Sequence, residues 1–258
     1  MKNRPTILVS NDDGFQALGV RRLVEFLLPF GDVIAVCPDG PRSGQSMALT
    51  FERPIRLNRV DDIVPGSKWY KVTGTPVDCV KLSLPTVLEG NKPDLVVAGI
   101  NHGSNSAVNV MYSGTMGAVF EGCTWGVPSI GFSLTDHDPH AEFDRCRMPV
   151  ETLVAHLLRE GLPQGMCLNV NIPHTGAAPT QMALTRAARG HWTEEYKRYI
   201  DPMGRDFYWL TGSFVNDEPE TSGTDEWALD HGIISVTPEY LDRTVPDHAT
   251  PAWLRSLL

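Results

Sequence analysis

Short apolar runs alternate with amphipathic stretches through the first two thirds of the chain. Thr6-Ile7-Leu8-Val9, Val33-Ile34-Ala35-Val36-Cys37 and Asp94-Leu95-Val96-Val97-Ala98-Gly99-Ile100 are almost free of polar residues. Runs of this kind and length fit strands buried on both faces, as in a parallel sheet. Val127-Pro128-Ser129-Ile130-Gly131-Phe132 and Cys167-Leu168-Asn169-Val170-Asn171-Ile172 predict two more. Between the first two runs, Leu18, Leu23, Val24, Phe26 and Leu27 recur at helical spacing, and Pro29 with Gly31 ends that helix. Residues 149–159 carry a second helical pattern. Thr75-Pro76-Val77-Asp78 has the form of a helix start, with Thr75 as N-cap and Asp78 near the positive end of the dipole. Strand and helix in alternation predict repeated βαβ units, hence an α/β fold with a mostly parallel sheet.

From about Thr180 the texture changes to polar and aromatic segments over 186–199 and 206–214, followed by an acid-rich stretch over 217–226. With no repeat or low-complexity tract, this part reads as an extension of the core. Hairpin arms reaching a partner subunit are one use for it.

A chain of 258 residues can bury a large core within a single unit, and 41% hydrophobic content is ordinary for a globular protein. The formal net charge of -9 argues against a nucleic-acid polymer as partner, because tracking a phosphate backbone takes a basic stripe. The five cysteines, Cys37, Cys79, Cys123, Cys146 and Cys167, are scattered, without CxxC spacing, which predicts buried thiols in a reducing compartment and no zinc site. Met1-Lys2-Asn3-Arg4-Pro5 leads into a strand without a leader-like apolar stretch, and no run is long enough to span a bilayer. The expectation is a cytoplasmic protein with no membrane partner.

Ser10-Asn11-Asp12-Asp13-Gly14 places two adjacent carboxylates just beyond the first strand, where open α/β sheets put their ligand sites. Neighbouring residues of a strand point to opposite faces, so the pair can converge only through a turn, which Gly14 permits. One acid could instead cap the next helix. The loops after two other strands supply Ser43, in Cys37-Pro38-Asp39-Gly40-Pro41-Arg42-Ser43-Gly44, and Asn101, in Gly99-Ile100-Asn101-His102-Gly103. Carboxylate, hydroxyl and amide oxygens on one sheet edge favour Mg²⁺, Mn²⁺ or Ca²⁺ over zinc or copper. Tyr112-Ser113-Gly114-Thr115 then opens a helix whose unpaired N–H groups suit a phosphate, although Ser113 or Thr115 could be an N-cap alone. A divalent ion would reconcile the two halves, since a carboxylate facing a phosphate charge costs about 4 kcal/mol at roughly 4 Å and an effective dielectric of about 20. His102 adjoins this set and could serve as an acid, or simply make a loop hydrogen bond. Neither GxGxxG nor GxxxxGK[ST] occurs, which disfavours dinucleotide and P-loop binding.

Together these segments resemble the SurE family of metal-dependent 5′/3′-nucleotidases. The likeness covers nearly the whole chain and includes Gly74-Thr75-Pro76-Val77-Asp78-Cys79-Val80, Leu168-Asn169-Val170-Asn171-Ile172-Pro173 and Ser235-Val236-Thr237-Pro238. The resemblance implies a Rossmann-like three-layer core over 1–180 with a β-rich hairpin extension over 181–258, within one unit spanning 1–258. It also implies one divalent ion per subunit, Mg²⁺ or Mn²⁺ with Ca²⁺ as a crystal substitute, held by Asp12, Asp13, Ser43 and Asn101. Further implications are hydrolysis of nucleoside monophosphates, activity on 3′-nucleotides and short polyphosphate, and a homodimer or homotetramer built through C-terminal arms. Where the family often carries Gly-Asp-Asp-Val, this chain has Ala107-Val108-Asn109-Val110-Met111, which removes acids beside the phosphate cradle.

The resulting expectation is a phosphomonoesterase in which Ser113, Gly114, Thr115 and Asn101 hold the phosphoryl group, Asp12 is mainly a ligand, and Asp13 orients or deprotonates the water. An aspartyl-phosphate mechanism would need an Asp-x-Asp spacing that Asn11-Asp12-Asp13-Gly14 lacks. The alternative of another class is a nucleotide or phosphate sensor, or an assembly module, on the same fold.

Overall fold

The computed structural model describes residues 4–61, 63–138 and 140–244, together with 249, 251 and 253. Its first half runs β1 (Thr6–Ser10), α1 (Leu18–Leu27), β2 (Asp32–Pro38), β3 (Leu57–Val60), β4 (Lys68–Val72), α2 (Pro76–Ser83), β5 (Leu95–His102) and α3 (Gly114–Thr124). Then follow β6 (Ser129–Leu134), α4 (Arg147–Glu160), β7 (Met166–Ile172), β8 (Met182–Leu184), β9 (Gly190–Thr193), β10 (Tyr196–Ile200), β11 (Asp206–Leu210), β12 (Ser213–Asn216), α5 (Asp225–Asp230) and β13 (Ile234–Tyr240). The expectations for the first three residues and for the far end of the extension lie outside the described residues.

Alternation within the apolar runs builds a layer of helices on each side. Ile7 and Val9 join one apolar cluster, while Leu8 joins the other; Val33, Ala35 and Cys37 alternate in the same way with Ile34 and Val36. The first cluster takes Val20, Leu23 and Val24 of α1 and Val150 and Val154 of α4, and the second takes Cys79 and Val80 of α2 and Met116, Val119 and Phe120 of α3. The fold is therefore an α/β three-layer sandwich of Rossmann-like form, with all five cysteines buried as free thiols. The nine-stranded sheet has the order β3-β4-β2-β1-β5-β6-β7-β13-β8. Its central strands are parallel, and β3, β13 and β8 run against them.

Helix α2 begins as the sequence predicts. Thr75 Oγ1 accepts from the Asp78 N–H at 3.1 Å and Asp78 Oδ2 from the Thr75 N–H at 2.9 Å, a reciprocal capping box. Asp78 also accepts from the Thr50 hydroxyl at 2.6 Å, so its role is structural.

The strand order locates the site. From β1 the chain passes to β2 on one side, and later places β5 on the other, pairing Ile7 with Leu95 and Ser10 with Ala98. The crossovers leave β1 and β5 toward opposite faces of the sheet, which opens a crevice at their carboxyl ends. Asp12 and Asn101 follow or end those two strands.

Beyond residue 180 the chain rejoins the sheet, because β13 pairs antiparallel with β7 from Ser235↔Asn171 to Tyr240↔Met166. Between these returns lies an excursion of two ribbons, β9 with β12 and β10 with β11. Its base is closed by Glu218, which accepts from Arg186 at 2.6 and 2.9 Å and from Arg189 at 3.1 Å. Every residue of β10 and β11 is exposed, including Tyr208, Trp209 and Leu210. Among the described residues, no helix is long and apolar enough to cross a membrane.

Candidate functional site

A tight turn takes the chain out of β1. Asn11 Nδ2 donates to the Gly14 carbonyl at 2.9 Å, and Gly14 sits at φ +95 with Gly40 Cα only 3.0 Å from where a Cβ would be. Glycine alone fits that left-handed, crowded position. Asp12 and Asp13 therefore lie in a turn, where both side chains can serve one place.

Asp12 is only 3% exposed and is the better anchored of the two. Its Oδ1 accepts from the Thr115 hydroxyl at 2.6 Å, and the N–H groups of Gly114 and Thr115 at the start of α3 also point to it. A Cβ on residue 114 would fall 2.8 Å from Asp12 Cβ, so the helix approaches this closely because Gly114 has no side chain. The Asp12 carbonyl accepts from the Arg42 N–H at 2.6 Å, which draws the Ser43 loop to the same place. The Arg42 guanidinium turns away, to Asp39 at 2.8 Å and the Gly74 carbonyl at 3.3 Å.

Asp13 Oδ2 accepts from the His102 N–H at 3.3 Å, which ties the turn to the end of β5. Asn101 spends its amide nitrogen on the carbonyls of Gly103 and His102, at 2.9 and 3.2 Å. Its Oδ1 is thus the atom left for a ligand. Ser113 caps α3, its Oγ accepting from the Met116 N–H at 3.0 Å.

Asp12, Ser43, Asn101 and Ser113 line one cleft of about 360 Å³. Asp13, Gly114 and Thr115 stand outside that lining and join it through His102 and Asp12. Burial pushes the Asp12 carboxyl up, against the opposing bonds from Thr115 and the α3 N–H groups. Burial, and then the charge of Asp12, push Asp13 up to about 7. No lysine or arginine among the described residues lines this cleft.

Two crowded carboxylates without a cationic partner fit a divalent ion. Among the described residues no cluster of three or more His, Cys, Asp or Glu could hold one, so its other ligands here would be the oxygens of Ser43 and Asn101. That donor set suits a hard cation.

A family model described as Survival protein SurE matches residues 7–194. The chain belongs to the SurE family. It is 48% identical over 246 residues to the 5′-nucleotidase SurE of Phocaeicola vulgatus, covering 94% of this chain and 93% of that one. It is 42% identical to the 5′-nucleotidase SurE of Flavobacterium psychrophilum, with 97% and 96% covered. The crystal structure of the SurE protein from Aquifex aeolicus superposes with a TM-score of 0.83 at 36% identity, covering 98% of this chain and 99% of that one.

Other parts of this SurE site are not apparent from local motifs. Asn171 Oδ1 accepts from the Asn105 N–H at 2.8 Å, Asn169 Nδ2 donates to the Asn105 carbonyl at 2.9 Å, and Asn105 Nδ2 donates to Ser133 Oγ at 2.8 Å. These buried amides fix Asn105 in the cleft wall, and the signal for them was the alternation of asparagines within an otherwise apolar β7. His137, Trp192, Phe214 and Glu226 also line the cleft, brought there by long-range folding. Trp192 Nε1 donates to Asn109 Oδ1 at 2.9 Å, and its ring meets Phe214 edge-on at 6.1 Å. His102 packs edge-on against Phe143 at 4.8 Å, and burial lowers its pKa.

Proposed function

We propose that this chain is a divalent-metal-dependent 5′-nucleotidase that hydrolyses nucleoside monophosphates to nucleoside and phosphate. The observation that carries the reading is the pair Asp12, buried, and Asp13, half-buried, with no ion-pair partner among the described residues at the strand-order switch, beside the start of α3. Asp12, Asp13, Ser43 and Asn101 would hold the ion. A divalent ion there supplies positive charge to the phosphoryl oxygens and makes a nearby water more acidic.

The protein's own groups divide the remaining work. Thr115 fixes the orientation of Asp12 through the bond at 2.6 Å. Asp13 takes the proton of the attacking water as the bond from phosphorus to the ester oxygen breaks, and that proton passes on to the leaving oxygen. Asn101 offers Oδ1 from a side chain pinned at its nitrogen. Of the three residues at the start of α3, Ser113 stands in the cleft, where the positive end of the helix favours a phosphate, while the Gly114 and Thr115 N–H groups point to Asp12 and act through that carboxylate. Activity on 3′-nucleotides belongs to the same proposal, since either monoester offers the same phosphoryl group.

We further infer a homo-oligomer assembled through the exposed β10–β11 hairpin, and a cytoplasmic location in keeping with five buried free thiols. The test of function is phosphate release from a nucleotide panel with Mg²⁺, with Mn²⁺ and with chelator. Release that needs the ion and is abolished by Asp13→Asn in a folded protein is the expected result. Nucleotide binding without release would instead favour the sensor reading.

A further inference from the structure

The cleft lining also includes residues outside the proposed ion ligands and the start of α3. The short 3₁₀ turn over Ala107–Met111 contributes Asn109, the following residue is Tyr112, and the extension adds Trp192, Phe214 and Glu226. Trp192 is held by its bond to Asn109 and by the edge of Phe214, so this wall offers a fixed aromatic surface. Glu226 is the one carboxylate in it. Its Oε1 accepts from the Ser106 hydroxyl, whose partner Ser104 is bound to Ser106 at 2.5 Å, and its Oε2 takes no hydrogen bond from any described residue. Residue 226 is the first-turn neighbour of Asp225, which accepts from the Ala107 and Ala188 N–H groups at 2.7 and 2.8 Å, so the backbone that carries Glu226 is fixed from two directions.

Resting on the 5′-nucleotidase reading, we infer that Glu226 is a specificity-determining residue: it selects monoesters with a neutral, hydroxyl-bearing leaving group and rejects those whose leaving group carries a second phosphate. The reasoning is electrostatic. Phosphate enters a cleft whose only cation is the ion beside Asp12, and among the described residues no lysine or arginine lines the rest of the wall. A sugar hydroxyl can donate to Oε2 of Glu226 while an aromatic base lies against Trp192. A second phosphate in that part of the cleft finds a carboxylate with no lysine or arginine in the lining to neutralise it, and like charges repel strongly in a partly desolvated site. Short polyphosphate, whose leaving group is wholly anionic, is the poorest fit of all.

The experiment compares kcat/KM for adenosine 5′-monophosphate, adenosine 3′,5′-bisphosphate and tripolyphosphate, with Mn²⁺ at pH 8, in the full chain and in Glu226→Gln. Glutamine keeps an acceptor for Ser106 and removes the charge. The ratio of kcat/KM for each polyanionic substrate to that for the monophosphate is expected to rise about tenfold. Tyr112→Lys, which adds a cation to the same wall at an exposed position, should move the ratio in the same direction without touching the Ser106 bond. Hydrolysis of the monophosphate with the ratio unmoved in either folded variant overturns the role of Glu226 alone. Failure of the unaltered chain to release phosphate from the monophosphate overturns the 5′-nucleotidase reading beneath it.

Discussion

Replacing Thr115 by valine removes one oxygen from a residue with no exposed surface, and that oxygen donates to Asp12 at 2.6 Å. Valine matches threonine in shape and nearly in helix propensity, so α3 should persist. What changes is the carboxylate. A hydrogen bond to an ionised group contributes about 1.5–3 kcal/mol, and a short bond between hydroxyl and carboxylate belongs in that range. The same bond opposes the burial that pushes the Asp12 carboxyl up, so its loss favours the protonated form and weakens any ion held there. At about 1.4 kcal/mol per tenfold, the ion concentration for half-maximal activity should rise about 10- to 150-fold. Titrating Mn²⁺ against phosphate release from adenosine 5′-monophosphate reads this directly, and saturating ion should recover most of the rate. Thr115→Ser keeps the hydroxyl and should stay close to the parent. A valine variant with the parent's ion dependence would refute the reasoning, because Thr115 would then be positioning nothing that the ion needs.

Asp13 sets a pH dependence. Its folded carboxyl is raised to about 7 from an ordinary 3.8, so ion-free protein should lose stability as pH climbs between those values and level off above them. Added Mn²⁺ must displace that proton, so its effect on Tm should be larger at pH 8 than at pH 6, and Asp13→Asn should flatten the difference. Gly114→Ala would set a methyl 2.8 Å from Asp12 Cβ and 3.1 Å from Pro76 Cγ; overpacking of that kind costs about 1–3 kcal/mol, and urea unfolding should show it together with a larger loss of activity. If the proposed assembly runs through the β10–β11 hairpin, Trp209→Lys at the 64% exposed position on β11 should give smaller species than the parent in light scattering, with Tm nearly unchanged.

The central strands and flanking helices were legible because burial on both faces leaves an unbroken apolar run, as in β1, β2 and β5, and a helix over 149–159 shows its own period. The strands β3 and β4 escaped notice. Lys68-Trp69-Tyr70-Lys71-Val72 lies one strand in from the edge of the sheet, and its lysines interrupt the apolar pattern even though Trp69 is buried. Strand β13 escaped for another reason: in Ile234-Ser235-Val236-Thr237-Pro238 the buried Ser235 and Thr237 bond to the Thr185 hydroxyl, so a buried strand shows no apolar run. The acidic turn, Ser43 and Asn101 were readable from their places after strands, since parallel topology puts those ends on one edge. The direction of the Thr115 hydroxyl was not readable, because a helix's first turn looks the same in sequence whether it faces a phosphate or a neighbouring carboxylate. Trp192, Phe214 and Glu226 carry no motif at all; the closed excursion brings the two aromatic residues to the cleft, and α5, anchored through Asp225, brings Glu226.

That excursion has a consequence for how far the molecule tolerates remodelling. Its two legs are joined at the root by Glu218 with Arg186 and Arg189 and by the Asp217 N–H on the Arg189 carbonyl at 2.9 Å, and joined again at mid-height by the Thr211 N–H on the Glu195 carbonyl at 2.7 Å. Trp192 and Phe214 lie between these two rungs, whereas β10 and β11 lie wholly beyond the upper one. The distal segment can therefore be trimmed to a tight turn, lengthened or exchanged as a graft while the indole stays bound to Asn109 in the cleft wall. The exposed hairpin and the aromatic pair at the cleft, though carried by one excursion, are mechanically separable.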